Sequence, residues 1–377
     1  MDTKVFSTRS EIRTKERRPH ADGTYIIGLD MGYSGPKCYH ENGNFVYPNY
    51  VKKINGEIFG ELTKSDIIYE NIATGEKYCV GTMALKSLDE DSVVAEDTLF
   101  GRNHYLHPEF KVSLETSLGI ALWEHPTDGS DVFVQTGLPP KYLLKDSPYL
   151  KAVIEGNHSF ALTIGSEKKI FDITIAPNMI DIMSQPMGTF NSLLFDETGK
   201  PVPNAMDLMR SNLLMFDGGF GTLDKFLIVA NQIETKDTDA SLGMRRVFSE
   251  TRSLIENDLG VTVSIPAMQN ILKSGVVEVN DIMTLDTKTY PIDGYLEKAN
   301  QMVAAEALDS IKDYIFKIKY LVMTGGTGDA WYEIFKTKLA KTKVTVLLGK
   351  QNSNLPTIYS NARGYYYNRL KKLGFRG

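Results

Sequence analysis

Three short stretches of this chain join the end of an apolar run to glycines and an acid or hydroxyl. They are Ile26-Ile27-Gly28-Leu29-Asp30-Met31-Gly32-Tyr33-Ser34-Gly35-Pro36-Lys37, then Leu213-Leu214-Met215-Phe216-Asp217-Gly218-Gly219-Phe220-Gly221-Thr222-Leu223-Asp224, then Tyr320-Leu321-Val322-Met323-Thr324-Gly325-Gly326-Thr327-Gly328. A buried strand that ends in Asp-x-Gly and turns sharply back brings backbone N–H groups and a carboxylate to one point. Phosphate oxygens accept from the N–H groups, and a hydrated Mg²⁺ takes the carboxylate. The first two turns lie about 190 residues apart, as in two facing halves that clamp one nucleotide. The chemistry implied is nucleoside triphosphate hydrolysis, with ATP as the first candidate and GTP as the other.

In the first turn, Asp30 closes the strand and Lys37 stands seven residues on. A tight hairpin returns that ammonium to the carboxylate, so Asp30 orders water around Mg²⁺ while Lys37 neutralises phosphate charge. Gly32 and Gly35 let backbone approach a phosphate without a Cβ clash, and Tyr33 and Ser34 sit between them at the tip. A plain β-hairpin explains the first turn alone equally well. The second turn is denser, with Gly218, Gly219 and Gly221 between Asp217 and Thr222. Thr222 can donate to a phosphate oxygen, Asp217 can hold the metal's water shell from the opposite side, and Asp224 is adjacent. Gly325, Gly326, Thr327 and Gly328 follow a strand and open a helix, which suits an adenosine or an anion at a helix N-terminus.

The elements that must position these groups follow from apolar period. A strand at 24–29, a return at 37–40 and a hairpin at Asn42-Gly43-Asn44 into Phe45-Val46-Tyr47 give a three-stranded meander. A looser set at 50–130, with a helix near 109–123, reads as an inserted subdomain. Core strands follow at 131–136 and 170–175, then a helix at about 187–195. The second half repeats the scheme: strand 213–216, turn 217–222, return 223–229, helices at about 242–258, 264–274 and 293–317, a strand at 318–323, a helix at 329–340, a strand at 343–348 and a closing helix at 358–373. Residues 1–22, polar and without apolar period, are expected to form a flexible extension. The expected division is 23–205 for domain I, completed by the helix at about 356–377, and 206–355 for domain II.

Composition narrows the class. The 377 residues, 42% hydrophobic and 24% charged, suit a globular protein of two domains. No apolar run reaches the ~18 residues of a membrane span, so no membrane association is expected and the chain reads as cytoplasmic. Cys38 and Cys79 are too few for a disulfide framework. Of the net charge of −5, residues 1–20 contribute +3 and residues 356–377 contribute +5, which leaves the body at −13. An acidic body is not that of a direct DNA binder. The aromatic stretches Leu99–Tyr105 and Tyr365-Tyr366-Tyr367 read as packing ahead of filament contacts, and the methionines of 179–187 as core filling.

Taken together and in this order, the two phosphate turns and the adenosine-type turn resemble the superfamily of actin, heat-shock chaperones and sugar kinases. Gly28-Leu29-Asp30-Met31-Gly32, Asp217-Gly218-Gly219-Phe220-Gly221-Thr222-Leu223-Asp224 and Asp239-Ala240-Ser241-Leu242-Gly243-Met244 look most like bacterial actin-like proteins of the plasmid-segregation (ParM/StbA-like) kind. The resemblance spans about residues 24–373. It implies an α/β fold, actin-like (ribonuclease H-like) and duplicated, with ATP or ADP and Mg²⁺ in the cleft between two domains. It implies self-association into filaments that hydrolysis destabilises, and a DNA-binding, ParR-like adaptor on a centromere-like plasmid site. By the same resemblance Gln185, in Met183-Ser184-Gln185-Pro186, orients the attacking water, although Ser184 replaces a proline common among relatives. Asp30, Asp217 and Gln185 are thus the expected catalytic set, with Asp30 and Asp217 holding the metal through water. Arg245, Arg246 and Arg252 fall where relatives contact ribose or base, but solvated helix-face charge explains at least two of them. The alternative is a sugar- or acetate-type kinase on the same fold, with Asp224 or Asp181 as its substrate carboxylate. A non-enzymatic nucleotide-binding scaffold is disfavoured by the intact acids, Lys37 and Gln185.

Overall fold

The apolar run at 25–30 is buried on both faces because it becomes an inner strand with neighbours of both senses. In the computed structural model, which describes residues 2–14, 16–57, 61–87, 104–230, 232–280, 283–350 and 352–374, six strands form the first sheet. They are β1 (Glu11–Arg13), β2 (Tyr25–Gly32), β3 (Gly35–His40), β4 (Gly43–Val46), β8 (Val132–Leu138) and β11 (Ile180–Ser184), ordered β1-β4-β3-β2-β8-β11. The meander β2-β3-β4 is antiparallel, whereas β8 and β11 run parallel to β2.

A second sheet, ordered β10-β9-β6-β7-β5, combines β5 (Val51–Lys53), β6 (Ile67–Asn71) and β7 (Lys77–Val80) with the hairpin β9 (Gly156–Ile164) and β10 (Glu167–Ile175). The expected subdomain at 50–130 therefore has to be extended to residues beyond it: β6 finds its partner in β9, 89 or more positions downstream. Helix α1 (Pro108–Ala121) lies between the two sheets and is buried almost all round. Its one buried acid, Glu115, is satisfied by the Tyr69 hydroxyl and by His158 Nδ1 at 2.9 Å. Helices α2 (Leu143–Ile154) and α3 (Gln185–Leu194) complete this half before the second begins.

In the second half, β12 (Leu213–Gly218), β13 (Leu223–Val229), β14 (Gln232–Asp239), β17 (Tyr320–Thr324) and β18 (Thr345–Leu348) are ordered β14-β13-β12-β17-β18. Two antiparallel pairs are followed by two parallel ones, the same senses as β4-β3-β2-β8-β11. The internal duplication is therefore one of sheet topology. Polar β14 and the peripheral hairpin β15 (Val276–Asn280) and β16 (Thr287–Pro291) were not anticipated, since neither carries a clean apolar alternation. Helices α4 (Met244–Leu259), α5 (Ile265–Ser274), α6 (Asp293–Asp309) and α7 (Gly325–Leu339) cover this sheet. The helix expected at 293–317 stops at Asp309 and a 3₁₀ turn follows at Lys312–Tyr314. Ile311 and Ile315 stay buried, so the apolar stripe continues through a different backbone.

The closing helix α8 (Ser360–Lys372) packs on β2 and α3. The α3–α8 crossing is as close as it is because Gly188 and Gly364 face each other, and a Cβ on Gly364 would overlap the Gly188 carbonyl. Buried Arg363 then donates to the carbonyls of Ser192 (2.6 Å) and Phe195 (2.9 Å) at the C-terminus of α3. Tyr365, Tyr366 and Tyr367 are core residues. Of the other aromatic stretch, Leu99–Asn103 lies outside the described residues and Tyr105 packs edge-on against Phe110.

The expected flexible extension is corrected. Phe6 is buried in the core of the second half, Thr3 Oγ1 donates to the Leu272 carbonyl at 2.8 Å, and β1 pairs with β4 of the first sheet. Average polarity concealed this, because docking uses one phenylalanine and backbone groups. No described helix is long and apolar enough to cross a membrane.

Candidate active site in the interdomain cleft

The C-terminal ends of β2 and β12, equivalent strands of the two repeats, bring Asp30 and Asp217 into one cleft whose empty volume is about 1400 Å³, open solvent included. Strand register supplies the first partner: Asp30 stands directly opposite Lys37 on β3. Asp30, Lys37 and Asp217 are all at least nine-tenths buried. Lys37 also donates to Ser34 Oγ at 3.0 Å.

Gln185 is the first residue of α3, immediately after β11, and its Nε2 donates to Asp30 Oδ1 at 3.1 Å. Asn361, on the first turn of α8, donates Nδ2 to Asp217 Oδ2 at 2.9 Å. Its Oδ1 accepts from Thr189 N (3.2 Å) and Oγ1 (2.8 Å), which fixes the amide orientation. Sequence reasoning missed Asn361 and Thr189, and no local motif marks either. Only the α3–α8 crossing brings them to the acids.

Burial raises the Asp30 carboxyl above its ordinary range, partly offset by the Lys37 ammonium and the Gln185 amide. Burial likewise lifts Asp217 to about 6, with Asn361 opposing and Asp30 adding to the rise. Lys37 is pushed down by burial and up by the two acids. One ammonium thus serves two buried carboxylates, an electrostatic deficit that a hard cation would relieve. Asp224 holds the position in the second repeat that Lys37 holds in the first, opposite Asp217. Buried and bonded by Thr238 Oγ1, it is lifted to about 8, chiefly by desolvation.

The three turns meet. Tyr33 packs over Gly221, and Thr327 Oγ1 donates to the Gly219 carbonyl at 2.7 Å. Gly325, at φ +76°, lies so close to β12 that an added Cβ would overlap the Gly218 carbonyl. Of the expected residues, Asp30, Gly32, Tyr33, Ser34, Lys37, Gln185, Asp217, Gly219, Thr222, Gly325, Gly326 and Thr327 line the cleft. Gly35, Gly218, Gly221 and Gly328 stand behind it, packed against Tyr47, Thr327, Tyr33 and Met323. Arg245, Arg246 and Arg252 are not among the lining residues, and Arg246 pairs with Glu250 at 2.8 Å. Asp181, one carboxylate of the kinase alternative, is also outside the lining and pairs with Lys372 at 2.7 Å. Among the described residues no cluster of three or more His, Cys, Asp or Glu could hold a metal.

Residues 28–188 match the family model described as actin like proteins N terminal domain. No curated protein sequence matches the chain. Solved structures do. A ParM protomer of a 15-stranded filament from Clostridium botulinum superposes with a TM-score of 0.70 at 17% identity, over 92% of this chain and 99% of that one. The apo form of the pSK41 ParM protein gives 0.62 at 19%, over 94% and 100%. An archaeal actin homologue in complex with ADP gives 0.60 at 15%, over 93% and 100%.

Proposed function

We propose that this chain, an actin-like protein by its N-terminal domain and its two-domain fold, is an ATPase that assembles into filaments and moves plasmid DNA through a DNA-bound adaptor of the ParR-like kind. The observation that carries the reading is the convergence of Asp30, Lys37, Gln185 and Asp217 at facing strand ends. A phosphate chain laid between the hairpins would meet the backbone N–H groups of both turns, the Thr222 hydroxyl and the Lys37 ammonium.

Asp30 and Asp217 fit Mg²⁺: both are hard oxygen donors, both are buried, and together they have one lysine as counter-charge. Two carboxylates are also the usual protein share for an ion that keeps most of its waters. When bound, the ion supplies neutralisation of phosphate charge. Gln185, steadied by Asp30, is neutral and so orients an attacking water without deprotonating it. Asn361 holds Asp217 in place.

Filament formation and DNA segregation rest on the likeness to ParM proteins, one of them solved as a filament. The test is light scattering of the purified protein on adding ATP and Mg²⁺, with phosphate release followed in the same sample. Scattering that rises and then decays with phosphate release supports the reading. Phosphate transfer that needs a small-molecule acceptor, without scattering, would replace it with the kinase alternative.

A further inference from the structure

From the N-terminal segment we infer a strap across the nucleotide cleft: residues 5–9 form its wall at the end bounded by α5 and α7, and they slow nucleotide release. The inference rests on the nucleotide-site reading above. Val5, Phe6, Ser7, Thr8 and Arg9 line the same cavity as Asp30 and Asp217. Upstream, a 3₁₀ turn (Thr3–Phe6) is fixed to the second half, with Phe6 in its core and packed near α5 and α7. Downstream, β1 adds to the edge of the first sheet through Glu11–Val46, Ile12–Phe45 and Arg13–Asn44. The few residues between the two anchors must therefore cross the cleft from one half to the other.

The upstream anchor is specific. Gln269 of α5 is 1% exposed, and its Oε1 accepts from Thr8 N at 2.8 Å and Thr8 Oγ1 at 3.2 Å. A buried amide oxygen that takes two bonds from one residue sets the strap's position, since losing them would leave it desolvated and unpaired. Around it Val5, Phe6, Met244 and Ile358 give apolar surface, and Thr8, Gln269 and Asp329 give polar atoms. That combination suits a planar heteroaromatic base with hydrogen-bonding edges. A base seated there touches a segment tied to both halves, so its contacts with the strap must break before it leaves.

The experiment is displacement of a fluorescent (mant) ADP by excess unlabelled ADP, timed by stopped flow. It compares the full chain, a variant lacking residues 2–9, and Gln269→Leu, which keeps the segment but removes its acceptor. Dissociation is expected to quicken roughly ten-fold or more in both variants, the scale of two lost hydrogen bonds. Amide hydrogen exchange of residues 3–9 in the full chain should slow when ADP is bound. Dissociation within two-fold of the full chain in Gln269→Leu, with exchange at 3–9 unchanged by ADP, would overturn the strap while leaving the nucleotide site intact. Failure of the unaltered chain to bind any adenine or guanine nucleotide would instead overturn the site reading and the strap with it.

Discussion

Two adjacent glycines at the start of α7 should respond to the same substitution with opposite signs. Gly325 has φ +76°, where an L-residue costs about 1–2 kcal/mol. Its added Cβ would overlap the Gly218 carbonyl and come within 2.8 Å of Asp217 Oδ1. Gly218 cannot step aside easily, because it is buried at the end of β12 and paired with Leu223 of β13. Overpacking of this kind adds about 1–3 kcal/mol, so Gly325→Ala should cost about 2–5 kcal/mol. At Gly326 the added Cβ meets only Ile358 Cγ2, at an ordinary 3.6 Å, and alanine in a helix gains about 0.5–1 kcal/mol over glycine. Thermal unfolding of the nucleotide-free protein, followed by circular dichroism, should show Gly325→Ala melting roughly 3–6 °C below the parent. Gly326→Ala should melt at or slightly above the parent. Equal melting of Gly325→Ala and the parent, or a greater loss in Gly326→Ala, would refute the close docking of the third turn on β12.

Other substitutions probe the chemistry and the core. Gln185→Ala should bind nucleotide as the parent does but release phosphate at least about ten-fold more slowly, and any filaments should persist longer; normal turnover would remove Gln185 from the water-orienting role. Asp217→Ala should abolish Mg²⁺-dependent phosphate release, and unchanged activity over a Mg²⁺ titration would remove Asp217 from the metal site. His40 is 1% exposed, its Nε2 has no hydrogen-bond partner, and burial, with Arg18 adding, pushes it down to about 3. Between about pH 3 and 6.5 the unfolded chain therefore holds a proton that the folded one excludes, and stability falls as pH falls, by about 1.4 kcal/mol per unit. Urea midpoints should show about 2 kcal/mol of this loss between pH 6.5 and 5, and His40→Asn should flatten that slope relative to the parent; identical slopes would reject the assignment.

Both hairpins and the facing of Asp30 by Lys37 were legible in the sequence, because each depends on residues within a dozen positions of one another, and the order of the three turns is read directly along the chain. A continuous apolar run, an acid at its end and glycines in the turn specify strand, site and return together. Gln185 was found only through the family resemblance, since a glutamine before a proline has no local signature. What tertiary structure alone decided lies in partners far apart in the chain. Polar β14 became a strand because β13 offered it an edge, and β6 found β9. The crossing of α3 and α8 turned Asn361 and Thr189 toward Asp217. The N-terminal segment, polar on average, was placed by one buried phenylalanine and a buried glutamine more than 260 positions away. Periodicity reports which face of a contiguous element avoids water, and it carries no information on which distant surface that face, or a single side chain, will meet.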